Sequence, residues 1–178
     1  MRTHAMPIVL ALAPLLDVVS AAALTLTSPD IKTGGRIADE QAFDGADCPG
    51  RNVSPALVWQ DPPEGTKSFA VSMVDPDAPL AGGFWHWWAY DVPARAHGLP
   101  KGAGGLASGT VQGRNDFGSI GYGGPCPPRG AAHHYLITVY ALDIDRLDRA
   151  ASASTAAFDA AVRAHALAKA TLVGFFAR

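Results

Sequence analysis

The sequence predicts a mainly antiparallel β fold with one or two peripheral helices near the C-terminus. Of the 178 residues, 19 are glycine and 14 are proline, and both residue types destabilise a helix from within. Several runs of apolar, β-branched and aromatic residues alternate with turn residues, which is typical of strands. Helical spacing of apolar side chains is found only near the end of the chain.

Six runs predict strands before that helical region. Three short runs lie at 24–28, 37–43 and 57–59, and each ends close to a proline or an aspartate. The three clearest strands lie at 68–74, 84–92 and 135–142, where apolar residues predominate. The glycine-rich stretch at 98–130 predicts a long loop, and such loops in compact domains are usually functional.

The C-terminal region predicts the helix and one more strand. Ser154 can cap the N-terminus of the helix with its hydroxyl group. Apolar residues then recur at steps of three and four from Phe158 to Lys169. Residues 172–176 return to an apolar run, so we expect them to close the chain as a strand.

The composition excludes two broad classes of protein. The chain is 48% hydrophobic and has a formal net charge of −2, from 14 basic and 16 acidic residues. High apolar content with little net charge argues against intrinsic disorder. A general nucleic-acid-binding protein is also excluded, because it needs a basic surface to neutralise phosphates.

The first 23 residues have the layout of a secretory signal peptide. Arg2 gives a positive start and residues 7–16 are almost wholly apolar, although Asp17 weakens the pattern. That run is too short to cross a bilayer as a stable helix. We therefore expect residues 1–23 to be a signal peptide and residues 24–178 to be a single domain. The protein would then be periplasmic or secreted, and cytoplasmic if the signal does not function.

Two cysteines, Cys48 and Cys126, are the only ones in the chain. In an oxidising compartment such a pair can form a disulfide, whereas two buried thiols would be equally ordinary in a core. Sequence does not decide between them, because it does not give the distance between the two Cα atoms.

The first segment that could carry chemistry is the turn after residues 68–74. Pro76 and Pro79 restrict its backbone and could hold the carboxylates of Asp75 and Asp77 in place. Aspartates in such turns also commonly cap their own backbone, which is the simpler interpretation.

The second segment is the aromatic strand at 84–92. Strict alternation would place Phe84, His86, Trp88 and Tyr90 on one face and Trp85, Trp87 and Ala89 on the other. Bulky side chains on both faces predict burial on both sides, as in stacked sheets. A histidine in this setting is more often a core residue than a ligand-binding one.

The third segment leads from a glycine- and proline-rich loop at 122–130 into His133 and Tyr135. These two side chains are two residues apart, so they share a face of the predicted strand. An imidazole, a phenol and exposed backbone N–H groups around a small hollow would suit an oxyanion such as phosphate. A loop of this kind can equally be a simple turn.

Taken together, these segments resemble the phosphatidylethanolamine-binding protein family, in particular its bacterial Raf-kinase-inhibitor-like branch. The matching motifs are NVSP at 52–55, DPDAP at 75–79, HWWAYDVP at 86–93, GRNDF at 113–117, GYGGPCPP at 121–128, HHY at 133–135 and VYAL at 139–142. Each motif alone is weak evidence for the family, but the occurrence of all of them in this order along nearly the whole chain after residue 24 is specific to it.

The resemblance implies a fold of two antiparallel sheets with a small anion pocket and no cofactor. The matching pocket positions are Asp75, His86, Pro128, His133 and Tyr135, with Asp77 and Trp85 beside them and Tyr122 and Gly124 in the adjoining wall. Members of the family bind phosphate-like groups or phospholipid head groups, and some inhibit kinases or proteases. His134 stands where eukaryotic relatives usually carry arginine.

Three functions are compatible with these residues. A non-enzymatic binding protein would use His133 as the anion donor, with Asp75 fixing its tautomer and favouring the imidazolium. A metal-dependent or hydrolytic enzyme could use Asp75, His86 and His133, although no closely spaced histidine pair or GxSxG motif supports it. An interaction protein could act through its outer surface on a kinase or protease, and a homodimer is left open.

Overall fold

The computed structural model describes residues 23–45, 47–102, 106–147 and 153–178. The strands are β1 (Thr25–Thr27), β2 (Gly35–Arg36), β3 (Asp44–Gly45), β4 (Cys48–Pro49), β5 (Leu57–Gln60), β6 (Ser68–Asp75), β7 (Phe84–Pro93), β8 (Gly98–Leu99), β9 (Val111–Gln112), β10 (His133–Leu142) and β11 (Ala166–Phe176). The helix α1 spans Thr155–His165. The predicted signal peptide lies almost entirely outside the described residues. Within those residues no helix is long and apolar enough to cross a membrane.

The strands form two main sheets and one short hairpin. The larger sheet has the order β2-β11-β10-β6-β7-β9, the smaller has β1-β5-β8, and β3 pairs with β4. Neighbouring strands are antiparallel except for β2 and β11, which run parallel. This architecture confirms the predicted mainly β fold of two sheets, with one helix near the C-terminus in the described part of the chain.

The hydrophobic core explains why the central strands are apolar on both faces. Between the two sheets, Trp59 of β5 packs against Phe69 of β6 with ring centroids 5.1 Å apart. On the opposite face of the larger sheet, Phe158 of α1 packs against Trp88 and Tyr90 of β7. The larger sheet is therefore covered on both sides, as the aromatic strand predicted.

One register shift in β7 corrects the predicted alternation of its side chains. Met73 of β6 pairs with Trp87, but the next residue, Val74, pairs with Trp85, so β7 contains one extra residue at this point. Trp85 consequently packs against Phe158 on the helix side, 6.0 Å between ring centroids. His86 lies on the opposite side, 5.1 Å from the Tyr135 ring. A bulge of this kind reverses the faces that strict alternation assigns.

Two further sequence predictions were wrong in detail. Residues 37–43 form turns rather than a strand, since the N–H groups of Gln41 and Ala42 donate back to Ala38 and Asp39. The helix begins as predicted, with the Ser154 hydroxyl accepting from the Ala157 N–H, but it ends at His165. The predicted helical spacing up to Lys169 instead belongs to β11, which pairs along the whole length of β10.

A disulfide joins Cys48 of the β3–β4 hairpin to Cys126 in the loop before β10. The two Cα atoms are 5.8 Å apart and the bond closes a loop with a sequence separation of 78. Cys126 is followed directly by Pro127 and Pro128, so the bond ties this proline segment to the hairpin.

We expect the double variant Cys48→Ala/Cys126→Ala to lose about 2–5 kcal/mol of unfolding free energy, because the long loop is no longer constrained in the unfolded chain. Urea denaturation of the wild-type and variant proteins measures the difference. A loss below about 1 kcal/mol would show that the bond contributes little.

Candidate functional site

The sheet topology brings the ends of three strands together around one cavity. β6 runs antiparallel to both β7 and β10, so Asp75 at its end pairs with Phe84 at the start of β7, and Val74 pairs with Leu136 near the start of β10. The cavity there has a volume of about 280 Å³. The residues that line it are Asp75, Ala78, Pro79, Leu80, Phe84, His86, Phe117, Cys126, Pro127, Pro128 and His133.

Asp75 connects the turn after β6 to His133. One carboxylate oxygen, Oδ1, accepts from the N–H groups of Asp77 at 2.9 Å and Ala78 at 3.1 Å. The other, Oδ2, lies 2.7 Å from Nδ1 of His133. Asp75 is only 3% exposed, and a carboxylate is an acceptor, so this network assigns the proton to Nδ1 of His133. Asp75 thus both caps its turn and orients the histidine, which leaves Nε2 of His133 to meet a ligand.

His86 is held by the backbone of the loop opposite. Its Nδ1 lies 2.7 Å from the carbonyl oxygen of Gly123 and 3.1 Å from that of Gly124. The ring is 3% exposed and packs between Phe84, Phe117 and Tyr135. Burial lowers the pKa of His86, and the two carbonyl groups and the charge of Asp75 oppose this effect only in part. The ring is therefore neutral at pH 7.

Tyr135 contributes a buried hydroxyl group behind the two histidines. Its side chain is completely buried, and the hydroxyl lies close to the Asp75 carboxylate. Burial is the main cause that raises the pKa of this hydroxyl, and the nearby Asp75 carboxylate adds to the effect. The group stays protonated, and it lies behind the cavity rather than among the residues that line it.

Not all of the predicted pocket residues face the cavity. Pro128 lines it, but Trp85 points to the helix side because of the register shift in β7. Tyr122 lies in the core, where its hydroxyl donates to the Gln41 carbonyl at 2.8 Å and its ring packs against Trp87. The structure therefore does not bring Trp85, Tyr122 or the fully buried Tyr135 to the lining of this cavity.

Two other predicted residues act at the edge of the site. Asp77 accepts from both the backbone N–H and the ring of His134, and these contacts lower its pKa. Gly124 supports the wall, since a Cβ at this position would clash with the carbonyl oxygen of Gln41. The site therefore has an exposed His134–Asp77 pair beside the buried His133–Asp75 pair.

The N–H groups of Gly123 and Gly124 in the glycine loop are already hydrogen-bonded within the protein. The Gly123 N–H donates to the His86 carbonyl at 2.8 Å, and the Gly124 N–H donates to Oδ1 of Asn52 at 2.7 Å. These groups were expected to meet an anion, and the structure instead uses them to fix the loop. Among the residues that line the cavity, the two imidazoles of His86 and His133 then provide the side-chain contacts available to an anion.

Sequence analysis missed the apolar rim of the cavity. Leu80, which is 53% exposed, lies in the turn after Asp75, and Phe117 stacks on Phe43 with centroids 4.1 Å apart. Phe117 was visible in the GRNDF motif, but nothing in its spacing indicated that the loop would fold back onto His86. The cavity thus combines a polar floor with an apolar entrance.

The geometry gives no support to a metal centre. Within the described residues, no three histidine, cysteine, aspartate or glutamate side chains are grouped so that they could hold a metal ion. Both carboxylate oxygens of Asp75 are already engaged, Oδ1 with its own turn and Oδ2 with His133. The alternative metal site of Asp75, His86 and His133 is therefore not assembled.

The neutral state of His86 predicts a pH dependence of stability. A histidine in the unfolded chain has a pKa of about 6.5, whereas burial holds the folded value lower. Below about pH 6.5 the unfolded state binds a proton that the folded state does not, so the free energy of unfolding falls as pH falls, by at most about 1.4 kcal/mol per pH unit. Urea denaturation from pH 8 to pH 5 should show a shallower decrease in His86→Asn than in the wild type. Identical slopes would contradict a neutral His86.

Comparison with known proteins identifies the family. The sequence profile described as phosphatidylethanolamine-binding protein matches residues 27–177. Escherichia coli YbcL is 49% identical over 133 residues, which are 71% of this chain and 73% of YbcL. YbhB of the same species is 42% identical over 157 residues, which are 86% of this chain and 99% of YbhB.

Solved structures agree with this assignment. The crystal structure of Escherichia coli YbcL, described as a new member of the mammalian PEBP family, aligns with a TM-score of 0.84 at 40% identity and covers 88% of this chain and 99% of that one. A phosphatidylethanolamine-binding protein homologue from Chlamydia trachomatis aligns with a TM-score of 0.75 at 31% identity, covering 88% and 98%. The chain therefore belongs to the phosphatidylethanolamine-binding protein family.

Proposed function

We propose that this protein is a non-enzymatic binding protein for small phosphate-like anions, including those of phospholipid head groups. The observation that carries the proposal is the His133–Asp75 pair at the floor of a cavity of about 280 Å³. Asp75 fixes Nδ1 of His133, so Nε2 is available to donate to an oxyanion when the ring is protonated. His86 lines the same cavity, and the buried Tyr135 ring packs behind it.

The net charge of the protein indicates that anion binding depends on groups within the cavity. A formal net charge of −2 provides no general positive field that would attract anions over a distance. Affinity must then come from a few placed groups in a sheltered site, where hydrogen bonds to charged partners are stronger than in water. The apolar rim around Leu80 and Phe117 would exclude water from these contacts.

Hydrolytic catalysis is less well supported by the same residues. A buried aspartate that orients a histidine also occurs in hydrolases, but there the histidine activates a serine, cysteine or similar nucleophile. The residues that line this cavity include no serine, and the sulfur of Cys126 is bonded to Cys48. Export of the protein and inhibition of a kinase or protease stay predictions from the sequence.

Calorimetric titration with inorganic phosphate tests the proposal. We expect His133→Asn to bind at least about tenfold more weakly, since asparagine can keep the hydrogen bond to Asp75 but has no group in the position of Nε2. His165→Asn is the matched control, because His165 forms a similar pair with Asp143 just beyond the far end of β10. Equal phosphate affinity in wild type and His133→Asn would overturn the proposal.

A further inference from the structure

The two ring nitrogens of His86 have different and fixed roles. The Nδ1 atom lies against the carbonyl oxygens of Gly123 and Gly124, at 2.7 and 3.1 Å. A carbonyl oxygen only accepts hydrogen bonds, so Nδ1 must carry a proton. In a neutral ring Nε2 then has a lone pair and no proton, and it can only accept a hydrogen bond.

The surroundings of His86 keep the ring neutral. Aromatic rings from Phe84 and Phe117 cover it, and Tyr135 packs against it from β10. The charged groups that act on it are Asp75 from β6 and Asp116 from the loop before β10, and His133 lines the same cavity. Both carboxylates favour a protonated ring, but burial outweighs them and lowers the pKa of His86.

The cavity therefore offers a ligand two unlike histidines. His133, paired with the Asp75 carboxylate, can donate from Nε2 in its protonated form, whereas His86 needs a donor on the ligand. A singly ionised phosphate monoester matches both, since it carries a charged oxygen and a P–OH group. A phosphate diester, such as the phosphate of an intact phospholipid, has a charged oxygen but no P–OH group.

We infer that His86 makes this site select phosphate-type anions that carry a proton, so that singly ionised monoesters bind in preference to diesters. The inference rests on the proposed function, because it assigns specificity to the same cavity. A diester would leave the Nε2 lone pair buried without a partner, and sites with such an unpaired group reject the unmatched ligand. The expected preference is about tenfold to a hundredfold in affinity.

Ethyl phosphate and dimethyl phosphate test the inference directly. They are isomers, and affinities are compared for the singly charged forms at about pH 7, where His86 is neutral. That form is about a tenth of ethyl phosphate at this pH, because the second pKa of a phosphate monoester is about 6. Size and charge are thus matched and the P–OH group differs. We expect the wild-type protein to bind ethyl phosphate at least about tenfold more tightly. Equal affinity, or tighter binding of dimethyl phosphate, would overturn the inference while leaving anion binding intact. Binding of neither ester nor inorganic phosphate would overturn the proposed function itself.

The variant His86→Asn tests whether His86 causes the preference for ethyl phosphate over dimethyl phosphate. Asparagine can still donate to the Gly123 carbonyl, but it lacks Nε2, so the preference for ethyl phosphate should fall below about threefold. A preference that persists unchanged in this variant would contradict the role of His86.

Proton uptake provides a test that needs no substitution. At about pH 8 ethyl phosphate is doubly charged, so it must take up a proton to satisfy Nε2 of His86. Calorimetry in two buffers of different ionisation enthalpy should show about one more proton taken up with ethyl phosphate than with dimethyl phosphate. Proton uptake by the protein that accompanies both ligands cancels in the difference. Equal proton uptake would overturn the inference.

Discussion

The extra residue in β7 is the constraint on which the site depends. Without it, His86 would point with Trp88 toward α1, and Trp85 would point between the sheets. With it, the imidazole reaches the Gly123 and Gly124 carbonyls and Trp85 packs on Phe158. One backbone irregularity therefore places a polar ring at the cavity and an aromatic ring in the helix-side core, where each is stabilised. Bulges commonly re-aim side chains at functional sites in this way.

The loop that meets His86 is held from several directions. Asn52 fixes it by accepting from the Gly124 N–H at 2.7 Å, and the disulfide ties Cys126 to the β3–β4 hairpin. The His86 carbonyl also accepts from the Gly123 N–H. Because the loop is tied at these points, its carbonyl oxygens stay in place and determine the tautomer of the histidine. The nitrogen of His86 that carries the proton is thus determined by contacts between segments that are far apart in sequence.

The sequence predicted most of the fold but less of the site. Long strands such as Ser68–Asp75 were evident because apolar, β-branched runs are a strong local signal. The helix was predicted to extend too far, because alanine-rich Ala166–Lys169 is compatible with both a helix and a strand. Its pairing with β10 makes this segment part of a strand. Asp75, His86, Pro128 and His133 were predicted to be near one another through resemblance, and the structure brings them together. The same resemblance placed Trp85 and Tyr122 beside the pocket, but Trp85 packs on the helix side and Tyr122 lies in the core. Neither the bulge in β7 nor the contact of Tyr122 with Gln41 has a signal in the local sequence.

The tautomer and charge of His86 are the central claim, and they can be measured directly. In protein labelled with ¹⁵N-histidine, long-range ¹⁵N–¹H spectra distinguish a protonated from an unprotonated ring nitrogen, and His86→Asn assigns the signals. At about pH 7 we predict a neutral His86 ring with a proton on Nδ1 and none on Nε2. A proton on Nε2, in either the other tautomer or the imidazolium, would contradict the account.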